Sequence, residues 1–413
     1  MSISRLGTAN MYDRTINNIN RQQNELASQM EHTSAGMRVI RPSDDPVAAA
    51  QAERARNRLE RIASDQRGLD AQKATIEYGE STLRETMDAL QSFRALMVNA
   101  GSGVYNQVQR DTLVEQLTSL REQIAKYANR VDSNGLPLFR GLDTKTGLPF
   151  PNDQEDIQSG QPNSGEFHIA NSLNGVLAFF SGKTGNGVLE IEPFLRDPGS
   201  TPPNQAVPNQ GKAHADIGVI KDPAVAAAVT TPIEITFQDN AGVLEYTIDG
   251  GATWSPYKEG AAISVAGMDV VIKGQPVAGD GFTIKPSTTI STFEALDRAI
   301  AAVRDNANPD GSTAYGTLAH GITQSLTELD TAMNRISTVT GLAGDLLNQA
   351  ERMGNTLLAR EEQVEAQRVA AEQYDSEGMV RAISQMQTQQ TAVSAALQSY
   401  ASIQKLSLLN YIS

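Results

Sequence analysis

Asp44 and Asp45 stand side by side in the stretch RPSDDPVAAA, residues 41–50, and adjacent carboxylates can hold a cation or share a proton. A cation would need further ligands, yet no cluster of His, Asp or Glu accompanies the pair. The neighbours spell a helix start instead. Asp45 directly precedes Pro46, the order of an N-cap followed by proline at the first helical position, where a missing N–H leaves no bond unmade. Asp44 adds negative charge at the positive end of the helix dipole, and Pro42 keeps Arg41 extended so that the chain turns before Val47. Ser43, Asp44, Asp45 and Pro46 therefore read as a helix cap at a joint between two segments.

The remaining candidates for chemistry are weaker. His32, His168, His214 and His320 are scattered without a partner at ligand spacing, and the His-Glu-x-x-His pattern is absent. Gly182-Lys183-Thr184 resembles the end of a phosphate loop, but Leu177 occupies the place of the required upstream glycine, so the triplet reads as a turn between strands. Asp249-Gly250-Gly251 has hairpin-turn chemistry and lacks the further carboxylates of a calcium loop. Cysteine is absent, which excludes disulfides, thiolate nucleophiles and cysteine-bound zinc. Nothing assembles a nucleophile, a base and an oxyanion hole, so no catalytic residue, cofactor or metal is expected.

The elements around these residues carry the stronger signal. With 413 residues the chain exceeds one ordinary core, and its net charge of -14 argues against nucleic acid or an anionic membrane as partner. The first forty residues hold no continuous apolar stretch, so no cleaved secretory signal is expected. Ile16, Ile19, Gln23, Leu26, Met30, Thr33 and Met37 alternate three and four apart, the pattern of a short coiled-coil seam. From Pro46 the rule continues through Ile62, Leu69, Ile76, Leu83, Leu90 and Met97, predicting one long helix, and a second helix through Leu113, Leu117, Ile124 and Val131 folds back on it. Asn134-Gly135 marks a turn.

Between residues 150 and 290 short runs such as VLAFFSG, IEITFQ, VLEYTID, MDVVIKG and GFTIKP, separated by Gly, Asp, Asn and Pro, predict a mainly β insertion. A helix opening at Phe293 breaks near Asn308–Gly311, and a second long rod runs through Ile322, Leu329, Ile336, Ala343, Ala350 and Leu357. The expected fold class is α+β: a long antiparallel coiled-coil rod built from both chain ends, with a central mainly β inserted domain. The expected segments are 1–41 for an N-terminal assembly helix, 42–149 and 291–371 for the two halves of the rod, 150–290 for the outer β domain, and 372–413 for a C-terminal assembly helix.

The last segment repeats the seam at Met379, Ile383, Met386, Val393, Leu397 and Tyr400, with Ile403, Leu406 and Leu409 beyond. Residues 382–404 carry no charge yet are rich in Gln, Ser and Thr, which rules out a membrane span and predicts burial where amides find partners and charges would be costly. Self-association supplies such surroundings, and an ordinary coiled-coil hairpin closing the rod fits the same pattern. The expected assembly interface is therefore this C-terminal set together with Ile16, Ile19, Leu26 and Met30 from the N-terminal seam.

Six stretches of the sequence carry a family resemblance. MSISRLGTANMY at the start, GMRVIRPSDDP over residues 36–46, LQSFRALMVNAGSG over 90–103, ANRVDSNGLPLFRG over 128–141, VAGDGFTIKPS over 277–287 and the closing IQKLSLLNYIS together resemble the flagellin superfamily, and within it the hook-filament junction family. Filament-forming flagellins tend to a Lys-Asp-Asp-Ala type sequence where this chain has Ser43-Asp44-Asp45-Pro46. The resemblance implies a non-enzymatic axial protein of the bacterial flagellum, located outside the cell and exported by the flagellar route. The implied partners are other copies of the chain in a ring, a sister hook-associated junction protein, flagellin, and a cytoplasmic export chaperone on the C-terminal helix. Two other readings stay open: a filament-forming flagellin, and an adhesin or carbohydrate-binding protein acting through the β insertion, for which Tyr246, Trp254 and Tyr257 are the motive.

Overall fold

The computed structural model describes residues 3–101, 107–139, 172–197, 205–305 and 315–412, and within these the heptads of the sequence form continuous helices. The helices are α1 Ile3–Ala35, α2 Pro46–Ala100, α3 Gln107–Ala128, α4 Gly175–Phe179, α5 Pro223–Ala227, α6 Thr292–Arg304, α7 Tyr315–Glu372 and α8 Ser376–Ile412. The chain divides into two compact units, Met1–Gly68 with Arg352–Ser413, and Leu69–Glu351. The long helices obey a strict repeat of seven: Ile62, Leu69, Ile76, Leu83, Leu90 and Met97 on α2 are all buried, as are Ile322, Leu329, Ile336, Ala343, Ala350 and Leu357 on α7. The expected helix break at Asn308–Gly311, His168, and the first part of the expected β insertion lie outside the described residues.

In the second unit α3 folds back along α2. Arg130, just past the end of α3, donates to both carboxylate oxygens of Glu85 at 3.1 and 2.9 Å and lies over the rings of Tyr78 and Tyr127. α6 packs on α3, and Arg121 forks onto Asp297 with both bonds at 2.9 Å. Arg94 of α2 donates to Asp330 of α7 at 2.8 Å. The Asn134-Gly135 turn forms as its residues demand, with Gly135 at φ +78° and a bridge between Val131 and Pro137 below it.

The β part of this unit is antiparallel. One sheet runs in the order Leu189–Glu192, Gly281–Pro286, Ile233–Asn240, Val243–Thr247, Ser255–Pro256. A second sheet is centred on Met268–Lys273, which pairs with Ala262–Val265, His214–Ala215 and Val219–Ile220, and two further pairs of strands complete the set among the described residues. The inner faces of the two larger sheets share a core that includes Leu189, Ile235, Phe237, Val270, Ile272, Phe282 and Ile284. Alternation shows the reason: Met268–Lys273 buries every second side chain, as a half-covered strand must.

Two sequence expectations change here. VLAFFSG does not form a strand: Gly175–Phe179 is a single helical turn, capped by the Asn174 side chain, which accepts from Leu177 N–H at 3.0 Å. A solid apolar run of this length fits a buried helical turn as well as a strand, and the cap decides. Phe179 then packs edge-on against Phe139 and stacked with Phe293. Gly182-Lys183 is likewise a strand rather than a turn, paired with Thr289–Ile290. The turn follows it at Gly185, whose φ of +60° and close approach to the Leu189 carbonyl leave no room for a Cβ.

Candidate assembly interface

The joint between α1 and α2 is held by the two aspartates in different ways. Asp45 Oδ1 accepts from the N–H groups of Val47 and Ala48 at 3.1 and 3.0 Å, satisfying two orphan donors of α2. Asp44 faces backwards. Its Oδ2 accepts from the N–H groups of Ile40 and Arg41 at 3.1 and 2.7 Å, closing the turn that leads into the cap, and lies 3.6 Å from His32 Nε2. Ser43 is exposed in that turn and Pro46 opens the helix. Backbone hydrogen bonds, from Arg41 to Asp44 and from Ala48 to Asp45, hold both carboxyls below the usual carboxylate range. Among the described residues no three His, Asp or Glu side chains converge in a way that could hold a metal ion.

The link between α1 and α2 is bonded to the link between α7 and α8. Met37 bridges to Gln373, Tyr374 N–H donates to the Gly36 carbonyl, and the N–H groups of Arg38 and Val39 both donate to the Glu372 carbonyl. The side chain of Glu372 is buried and receives Arg56 and Arg368, the latter at 2.8 Å. Asp45 also accepts from Arg38 at 3.1 Å, so cap and joint form one network. Sequence reasoning missed Glu372. Its signal was the i, i+4 spacing of Arg368 and Glu372 at the very end of a helix.

Beyond the joint α1 packs along α8. The chain ends pair as the mirrored seams of the sequence suggest, but with a different set of residues inside. On α8 the least exposed positions are Met379, Ala382, Met386, Gln389, Val393, Ala396 and Tyr400, still three and four apart. Met379, Met386, Val393 and Tyr400 hold the expected inner places, and the alternate members lie one residue earlier: Ala382 is 3% exposed, whereas Ile383 is 37% and Leu397 44% exposed. On α1 Ile19 is buried and Leu26 half-buried, but Ile16 is exposed and Met30 is 52% exposed, with Thr15 and Gln29 taking the inner places. Ile403, Leu406 and Leu409 lie on α8, with side chains outside the described residues.

Two helices meeting without further neighbours cover only a narrow stripe, so one residue of each turn lies inside it while its neighbour, whatever its size, lies outside. Choosing the largest apolar residue in each turn selects the flank instead of the seam. The flank thus carries Ile16, Met30, Val380, Ile383 and Leu397, all exposed.

The aromatic residues of the β part are occupied. Tyr257 packs edge-on against Phe237 at 5.4 Å, its hydroxyl lies 3.0 and 2.9 Å from the carbonyls of Ile272 and Gly274, and burial pushes that hydroxyl up to about 12. Tyr246 packs against the same core and Trp254 is half-buried.

The profile of the bacterial flagellin N-terminal helical region matches residues 6–144. Flagellar hook-associated protein 3 of Salmonella typhimurium is 30% identical over 235 residues, which is 56% of this chain and 68% of that protein. A flagellin of Clostridium tyrobutyricum is 26% identical over 35% of this chain and 38% of its own length. Among solved structures, the flagellar junction protein FlgL from Legionella pneumophila superposes with a TM-score of 0.61 at 25% identity, covering 73% of this chain and 99% of that one.

Proposed function

Because the chain belongs to the hook-associated protein 3 family of the flagellin superfamily, a structural component of the bacterial flagellum at the hook-filament junction, we propose that it assembles through the outer flank of its paired terminal helices. One observation carries this reading. Ile16, Met30, Val380, Ile383 and Leu397 lie exposed beside a seam that is closed without them. Large apolar residues ranged along a helix pair lower the free energy once a neighbour covers them. The uncharged run from Ala382 to Gln404 suits the same surroundings, since no charge has to be desolvated there.

On this reading the chain forms a ring with its own copies. One side of the ring takes the sister hook-associated junction protein and the other takes flagellin. Before export the α8 flank is the surface that a cytoplasmic chaperone covers. The functional work is binding and load-bearing, with no catalytic step.

The experiment is sedimentation of the purified chain with and without hook fragments that carry the sister protein. The expected result is a monomer that stays soluble alone and binds to hook ends. Growth of long filaments without seeds would assign the chain to the filament-forming flagellins instead. In the same assay Leu397→Asp is expected to abolish binding to hook ends while its helical circular dichroism and melting stay those of the unsubstituted protein.

A further inference from the structure

Arg54, Arg58 and Arg61 follow one another at intervals of four and three on α2, so they stand in one row along the helix. All three are exposed, and no hydrogen bond or ion pair engages their side chains among the described residues. Arg56 and Arg368, on the same helix pair, differ: Arg56 meets Glu53 and Glu372, and Arg368 meets Glu365 and Glu372. Like charges one turn apart repel and weaken the helix that carries them, so the row is unfavourable for the isolated chain. Glu53 is turned to Arg56 at 3.6 Å, and Glu60 and Asp65, although close in sequence, form no ion pair with the row among the described residues.

α7 carries the opposite charge at the same spacing. Leu358 and Glu362 are exposed and Glu365, three residues on, is half-buried; Glu365 is paired with Arg368, whereas Glu362 has no ion pair among the described residues. The two rows lie at neighbouring levels of the helix pair, because Gln66 donates to Glu361 at 3.0 Å and Arg56 donates to Glu372. Glu362 is therefore about four residues, or about 6 Å along the axis, from the level of Arg61. An exposed apolar residue accompanies each row: Val47, seven before Arg54, and Leu358, four before Glu362.

One helix pair thus offers a basic row on α2 and an acidic row on α7, each with an apolar neighbour. That is the arrangement of a heterologous contact, in which one face of a copy takes a different face of the next and the same contact repeats around a ring. We propose that the Arg54–Arg58–Arg61 row of one copy receives the Glu362 side of α7 of a second copy. This contact rests on the ring assembly proposed above and adds to it a surface outside the α1–α8 flank. Exposed ion pairs are individually weak and screened by salt, so the rows set which faces meet and in what register, while the apolar flank supplies most of the affinity.

The test uses the full chain, which has no cysteine of its own to interfere. Arg61→Cys and Glu362→Cys proteins are mixed, loaded on hook fragments that carry the sister protein, and treated with a short bismaleimide. The expected result is a cross-linked dimer in the sedimented fraction from the mixture and none from either variant alone. In parallel, the combination of Arg54→Gln, Arg58→Gln and Arg61→Gln is expected to raise the concentration for half-maximal loading about fivefold at low salt, the yield of two weak pairs. Its melting temperature should be no lower than that of the unsubstituted chain, because the substitution relieves repulsion within α2. A mixture that loads hook ends normally but gives no cross-link would overturn the contact and leave the assembly reading standing. Equal cross-linking in either variant alone would show a symmetric contact and overturn the head-to-tail one. Failure of the unsubstituted chain to bind hook ends would overturn the assembly reading and this contact with it.

Discussion

Arg38 and Glu372 tie the two ends of the chain together: the Arg38 N–H donates to the Glu372 carbonyl at 2.7 Å, and the Arg38 guanidinium donates to the neighbouring Ala371 carbonyl at 3.0 Å. The contact is mostly backbone, so a side-chain substitution leaves its core in place. The Glu372 carboxylate is a separate layer of the same joint, receiving Arg56 and Arg368.

That separation gives a first prediction. Glu372→Ala leaves Arg368 and Arg56 without their shared acceptor, at a cost of about 1–3 kcal/mol, the usual range for a hydrogen bond to a charged group. Arg56 is half exposed and recovers water, which keeps the loss below that of a fully buried pair. Urea midpoints of the two proteins measure the difference, and an unchanged midpoint would show that the carboxylate is decorative.

The two aspartates of the cap should respond differently. Asp45→Ala removes the acceptor for Val47 and Ala48 and is expected to fray the first turn of α2, seen as faster amide exchange there; Asp45→Asn keeps an acceptor and restores most of the protection. Asp44→Ala should loosen the turn at Ile40 and Arg41 while α2 keeps its cap. Both carboxyls are held low, so their contribution is present above the ordinary carboxylate value and is lost as pH falls through the lower folded values. Protection factors that fall at neutral pH and not in acid would contradict this assignment.

Neighbouring residues on α8 should separate stability from assembly. Ala382→Leu forces a large side chain into the closed contact with α1 and is expected to cost about 1–3 kcal/mol of monomer stability. Ile383→Ala, one position on, should leave thermal melting within a degree or so, since the side chain already meets water, and should weaken binding to seeds. Equal effects of the two on melting would show that the seam is looser than its burial pattern.

Gly185→Ala tests the turn that follows the paired strand Gly182-Lys183. A Cβ there would collide with the Leu189 carbonyl, and the positive φ adds backbone strain, for a combined loss of about 1–3 kcal/mol. Gly187→Ala is the control: its φ is also positive but nothing crowds the Cβ, so its loss should be smaller.

Much of this was readable without a structure, for reasons that differ by element. The long helices announced themselves because a repeat of seven kept through Ile62 to Met97 admits few other conformations, and Pro46 after an aspartate fixed where one of them starts. Strands such as Ile233–Asn240 followed from β-branched residues bounded by turns. Gly175–Phe179 was misread because apolar runs carry no period, and only the Asn174 cap distinguishes the outcome. Within the α1–α8 pair Ala382 and Gln389 take inner places beside Ile383 and Gln390, because the size of a side chain does not say which residue of a turn faces the partner helix. The buried group of Glu190, Arg298 and Glu328 lies on three separate elements, so no local pattern could have joined it.

One unit is composed of Met1–Gly68 together with Arg352–Ser413, and this arrangement sets an order of events. Neither half has a partner until the other arrives, and bringing them together closes a loop that contains the entire second unit. Leu69–Glu351 is contiguous, whereas the terminal pair cannot close until α8 has been synthesised. A ribosome-bound or C-terminally shortened chain therefore presents α1 without α8, and nucleation of the terminal pair becomes the final step in maturation of the monomer.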